Sequence, residues 1–236
     1  MRDREAVRME QATPARTKVP RLSRAEAASP WPLWARFLQL LGGLFLYGTS
    51  LALLVRSDLG LDPWDVFHQG LSRQTNLAIG TWSILVGAVV LLLWVPLRQR
   101  PGIGTVCNVV LVGVSLNAVL EIVPVTHDIA IRWVYLLSGI VLCGMATGAY
   151  IGAALGPGPR DGLMVGLANR GHSLRVVRTA IELAVLGTGF LLGGTVGIGT
   201  LLYAVGIGPI VHLTIPVFSR GRFAHGRREE LACASD

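Results

Sequence analysis

Two four-residue runs hold the acids and bases that could do chemistry in an otherwise apolar chain, Asp62-Pro63-Trp64-Asp65 and Gly158-Pro159-Arg160-Asp161. Each reads as a helix start. Asp62 or Gly158 can cap, Pro63 or Pro159 lacks an N–H that would be unpaired there anyway, and Asp65 or Asp161 faces the positive end of the helix dipole. Two well-capped short helices satisfy this pattern, and so do two half-helices whose N-terminal amides form an anion or ion site. Each would run roughly ten to fifteen residues, about 15–22 Å, which is too short to span a bilayer and suits a re-entrant or interfacial position. Glu182 lies in a further apolar run, one turn beyond Arg178. An ionisable group at membrane depth costs at least about 2–3 kcal/mol unless paired or hydrated. Arg178 and Glu182 stand four apart, so they either neutralise each other near the interface or line a solute pathway. The candidate solute or ion site is therefore Asp65, Arg160, Asp161, Arg178 and Glu182.

The other reactive residue types form no constellation. His68, His127, His172, His212 and His225 show no ligand spacing with one another or with a cysteine, so no metal site is expected. His68 and His172 fall in the short polar segments and are expected to be solvated. Cys107, Cys143 and Cys233 are too scattered for a disulfide framework and are read as free thiols. Gly156-Pro157-Gly158-Pro159 lacks the Lys-Ser/Thr of a phosphate-binding loop, and neither a nucleophile elbow nor an HExxH pair occurs. The expectation is a protein without catalytic residues, cofactor or metal, and not an enzyme.

The elements that must position these residues follow from composition. Of the 236 residues, 52% are hydrophobic and 15% charged, and the charge is concentrated at the ends. From Trp31 to Ser219 only 17 of 189 residues are charged, whereas a soluble domain carries about a quarter. An ordinary soluble domain is excluded. The net charge of +7 does not point to nucleic acid, because the arginines sit in short gaps between apolar runs and not on one face.

A helix crossing about 30 Å of hydrocarbon needs roughly 20 apolar residues. Six stretches are predicted to do so: Leu33–Val55, Leu77–Leu97, Gly102–Leu120, Trp133–Leu155, Val176–Leu192 and Thr200–Phe218. Gly193-Gly194-Thr195-Val196-Gly197-Ile198-Gly199 breaks the last long apolar run into a hairpin. Residues 1–30, with seven basic side chains and no apolar core, are expected to be a disordered cytoplasmic tail and not a signal peptide, and 220–236 a second basic cytoplasmic tail. With both ends inside, only Arg56, Arg73 and Arg132 fall outside, so the positive-inside rule selects this orientation. Trp31, Trp34, Trp64, Trp82, Trp94 and Trp133 are expected at the membrane interfaces.

The chain repeats internally. At an offset of 96 residues Gly43 and Gly48 align with Gly139 and Gly144, and Leu59-Gly60-x-x-Pro63-x-Asp65 aligns with Leu155-Gly156-x-x-Pro159-x-Asp161. At an offset of 95, Gly102-Ile103-Gly104-Thr105 returns as Gly197-Ile198-Gly199-Thr200. Each unit, about 33–123 and 132–218, holds an odd number of spans, so the second must enter the membrane inverted. The expected fold is an all-α membrane protein, six transmembrane helices in residues 31–219 forming two inverted three-helix repeats, each with one short re-entrant or interfacial helix. Gly144, Gly148, Gly152 and Gly156 recur at steps of four and predict a smooth face for close helix packing.

The runs LGLDPWDVFHQGLS, GTWSILVG, PLRQRPGIGTVCNVVLVG, YIGAALGPGPRDGLMVGLANR, RTAIE and LLGGTVGIGTLLYAVGIGP resemble the bacterial YczE-type integral membrane proteins, related to the broader YitT group. The resemblance extends from about Leu41 to Pro216. It implies a multi-pass protein of the bacterial plasma membrane and implies no activity. Two functions remain open: a small-solute transporter or permease with its site between the repeats, and a non-transporting accessory protein that supports or regulates a membrane partner. The expected partners are the lipid bilayer, an unknown small solute or membrane protein, and a second copy in a homodimer, with no nucleic acid.

Overall fold

The computed structural model of the chain describes residues 31–219, and all the regular structure among them is helical. The order is α1 (Leu33–Ser57), α2 (Pro63–Thr75), α3 (Ile79–Leu97), α4 (Ile103–Ile122), α5 (Ile129–Gly152), α6 (Pro159–Ala168), α7 (Leu174–Leu191) and α8 (Ile198–Ser219). The two tails and Cys233 lie outside the described residues. Five of these helices, α1, α3, α4, α5 and α8, are long and apolar enough to cross a membrane. The predicted sixth span falls on α7, which has 18 residues but carries Arg175, Arg178 and Glu182. Outward-facing side chains such as Leu92, Leu191 and Val205 are apolar and exposed, as suits a surface facing lipid.

In lipid there is no water to expel, so helices associate by close packing of small residues and by hydrogen bonds. Helix α1 shows both. A Cβ at Gly43 would stand 3.0 Å from the Tyr150 backbone on α5, and one at Gly48 would stand 2.5 Å from Ser115 on α4. Without them α1 could not lie between its two neighbours, where Leu40, Leu44, Leu51 and Leu54 are buried.

Helices α1 and α5 run antiparallel, held by a contact made twice. Arg36, near the start of α1, donates from Nε to Ala153 O at 3.0 Å and from its Nη2 to Ala154 O at 2.7 Å, just past the end of α5. Arg132, near the start of α5, donates from Nε to Ser57 O at 2.7 Å and from Nη2 to Asp58 O at the end of α1. Each guanidinium thus satisfies helix-end carbonyls that have no intrahelical partner. The chain turns alike at both places, with φ 48° at Asp58 and 52° at Ala154, then 122° at Gly60 and 137° at Gly156. Those positive angles cost a side chain at positions 60 and 156, where glycine stands. Further on, Gly199 N–H donates to Leu59 O at 2.8 Å and Gly104 N–H to Leu155 O at 3.0 Å. Gln74 donates to Leu192 O at 3.0 Å, and Arg170 donates to Pro96 O at 2.8 Å. These bonds correspond two by two, since Gly104 and Gly199 stand 95 apart, and Leu59 and Leu155, Gln74 and Arg170, and Pro96 and Leu192 stand 96 apart.

The halves differ in the packing of their later helices. Helix α3 packs on α4, where a Cβ at Gly113 would collide with Gly80 O and Ile84. The corresponding Gly208 on α8 has open space, with nothing within 4 Å of a Cβ.

The glycine face of α5 is used inside the chain. A Cβ at Gly144 would meet Ile210, one at Gly148 would stand 2.6 Å from Thr214 Oγ1, and one at Gly152 would stand 2.8 Å from the Phe218 backbone. Thr214 also donates to Gly144 O at 2.8 Å. Gly156, aligned with this face in sequence, lies past the helix end in the turn. A second copy would have to use another surface. Gly148→Val is expected to lower stability by about 1–3 kcal/mol through overpacking, whereas Gly42→Ala, with nothing within 4 Å, should leave it unchanged or slightly raised. Thermal denaturation of the two variants in detergent, followed by size-exclusion chromatography, measures the difference.

Candidate functional site

The two short helices start beside each other in the interior. At α2, Asp62 accepts from Asp65 N–H at 2.6 Å, and Pro63 occupies the first turn. At α6, Gly158 precedes Pro159, and the start is fixed from α3 by Trp94, whose Nε1 donates to Pro159 O at 3.0 Å. Gly162 leaves the room that the Trp94 ring fills.

Arg160 connects the two starts. Its guanidinium lies 3.6 Å from Asp62 Oδ2 and 3.8 Å from Asp65 Oδ1. It also stacks over Trp64, 4.9 Å from the ring centroid, in cation–π geometry. Trp64 and Arg160 occupy equivalent positions of the two repeats, as do Asp65 and Asp161. Asp161 accepts from the Tyr150 hydroxyl at 3.0 Å, and Tyr150 meets Tyr47 edge-on with centroids 6.0 Å apart. His68, one turn into α2, has Nδ1 2.9 Å from Asp65 Oδ1. A carboxylate only accepts, so Nδ1 carries the hydrogen and Nε2 presents a lone pair.

Asp62 and His68 both stand outside the five spans and are shifted. Burial and the neighbouring Asp65 push Asp62 up to about 7, against the pull of Arg160. Burial lowers His68 below the usual imidazole value, against the pull of its hydrogen bond to Asp65. A cavity of about 80 Å³ adjoins the network, its walls including Tyr47, Trp64, His68, Tyr150, Arg160 and Asp161. Among the described residues, two buried side-chain polar atoms have no hydrogen-bond partner, Asp65 Oδ2 and His68 Nε2.

Of the residues singled out in sequence, Asp65, Arg160 and Asp161 come together here. Arg178 and Glu182 do not join the contact network. They pair with each other on α7 at 2.9 Å, with 61% and 33% of their side chains exposed. The expectation that His68 is solvated is overturned. Its side chain is 1% exposed, because α2 is enclosed by α3 and α7, while His172 is exposed as expected. Trp64 and Trp94 are buried within the protein, at 7% and 2% exposure, since one lies under Arg160 and the other against Pro159. Sequence reading missed Tyr47 and Tyr150, whose signal was weak, and took Asp62 only as a cap when it also pairs with Arg160. Among the described residues no group of three or more His, Cys, Asp or Glu could hold a metal ion.

Fold and site define a multi-pass helical membrane protein with a buried ion network where two short helices begin. Residues 34–216 match the family described as a family of unknown function, DUF6198, and the chain belongs to that family. A Haemophilus influenzae protein is 41% identical over 204 residues, which cover 86% of this chain and 93% of that one. The Bacillus subtilis membrane protein YczE is 34% identical over 175 residues, 73% of this chain and 81% of its own. Bacillus subtilis YyaS is 26% identical over 193 residues, 79% of this chain and 95% of its own. No solved structure matches. The YczE-type kinship inferred from sequence motifs therefore holds.

Arg160→Gln is expected to destabilise the protein by about 3–5 kcal/mol, the usual cost of leaving buried charge without its partner. Adding Asp62→Asn should recover part of that loss, so the two substitutions will be non-additive in a double-mutant cycle of thermal stability.

Proposed function

We propose that this protein is a small-solute transporter of the bacterial plasma membrane, built as two inverted repeats with the solute site between them. The observation that carries this reading is the difference between otherwise matching halves. Gly113 is pressed against α3, while its counterpart Gly208 faces open space. Alternating access in inverted-repeat transporters works by rocking one repeat against the other about a fixed site, and two copies of one unit in different states are what that mechanism requires. The antiparallel α1 and α5, with their reciprocal arginine contacts, supply a stationary axis. In this reading α7 is the sixth crossing. Its Arg178–Glu182 pair neutralises itself on one helix face, and both termini are cytoplasmic.

The solute site is the cavity beside Asp65, Arg160 and Asp161, with Glu182 close enough for its charge to act on Asp62. If the halves exchange states, Gly208 must at times approach α7 as Gly113 approaches α3. Arg175→Cys with Gly208→Cys, in a chain freed of its native cysteines, should then form a disulfide in native membranes. Proteoliposomes bathed in a bacterial small-molecule extract should accumulate at least one compound, seen by mass spectrometry, and locking that pair should stop it. Absence of the Arg175/Gly208 cross-link together with no uptake above empty liposomes would refute the transport reading.

A further inference from the structure

We propose that the cavity between the two short helices binds a small organic ammonium ion, one bearing at least two N–H donors. This names the solute class and rests on reading the cavity as the solute site. Charge gives the sign. Asp62 and Asp65 face one guanidinium, that of Arg160, Asp161 lines the same cavity, and Arg178 is already matched by Glu182. With Asp62 ionised the network is short of positive charge in a place where unbalanced charge is costly, and either a proton on Asp62 or a bound cation supplies it.

Hydrogen bonding gives the donors. His68 lines the cavity, its side chain is 1% exposed, and its Nε2 has no partner. Because Nδ1 donates to Asp65, Nε2 is an acceptor. Asp65 Oδ2, the other unpartnered buried atom, can only accept while ionised. Both unmet needs are for donors, and buried polar groups are normally satisfied. Water could meet one of them, but it would not supply the missing charge.

The walls exclude a bare metal ion as the natural occupant. Tyr47, Trp64 and Tyr150 contribute ring surface, which attracts organic cations by their quadrupole, and no metal-ligating group of three exists among the described residues. The volume, about 80 Å³, suits an ammonium head group with a short alkyl chain. A cavity of about 150 Å³ accepts benzene, so larger solutes would have to enlarge this one.

The test uses the purified full chain in detergent, titrated with methylammonium chloride, tetramethylammonium chloride, sodium chloride and sodium acetate at constant ionic strength. Methylammonium should raise the melting temperature saturably, because a ligand that binds only the folded form stabilises it. Tetramethylammonium, which has no N–H, and sodium should not. His68→Leu and Asp65→Asn should each weaken the methylammonium effect by about tenfold or more in apparent Kd. If either variant fails to fold, the four-salt comparison on the wild type still decides. Equal stabilisation by tetramethylammonium or sodium, stabilisation by acetate alone, or no stabilisation by methylammonium would overturn the proposal. Methylammonium binding without uptake by proteoliposomes would support this ligand and sink transport; uptake from the extract without methylammonium binding would do the reverse.

Discussion

One guanidinium has to neutralise carboxylates that come from the other half of the chain, and much of the interior is arranged around that need. Asp62 and Asp65 are buried at the start of α2, where the dipole and the cap favour them locally but burial opposes their charge. Arg160 reaches them from the start of α6. For it to do so the two short helices must begin side by side. The Trp94 hydrogen bond to Pro159 and the gap at Gly162 set one start, and the Asp62 cap with the Leu59 to Gly199 bond sets the other. A packing fault at any of these points would separate a buried cation from its anions.

The outer frame solves a different problem with the same economy. Helices that end in or near lipid leave carbonyls without partners. Here the arginine at the start of one long helix reaches the frayed end of the other, and the reverse contact is made by its equivalent. Two contacts far apart on a pair of antiparallel helices resist both sliding and splaying. The α1–α5 pair is therefore a frame on which α4 packs through α1 and α8 through α5.

Much of this was legible in the chain. The Pro-x-Asp runs gave two short helices with the expected caps, because capping is local and needs only neighbours in sequence. The glycine spacing gave a packing face, although it could not say that α8 would fill it. The arginine contacts were also legible in principle, since Arg36 and Arg132 stand 96 apart, as do Ser57 and Ala153. They were overlooked because the repeat was traced through glycines and prolines. His68 was misplaced for a deeper reason. A polar residue in a short helix reads as solvated unless one knows that the helix is enclosed, and enclosure is a property of α3 and α7, not of residues 62–75. Tyr47 and Tyr150 belong with it, since each is one aromatic among many until the other is brought to its edge.

Trp64 and Arg160 stand 96 apart, at equivalent positions of the sequence repeat, and each lies against the other. Had the protein been assembled from two separate copies of one half, this place would set like against like, either two tryptophans or two mutually repelling guanidiniums. A cation stacked on an indole therefore requires the two halves to differ at this position, as they do here, so the charge arrangement of the centre depends on the divergence of the repeat and not on its regularity.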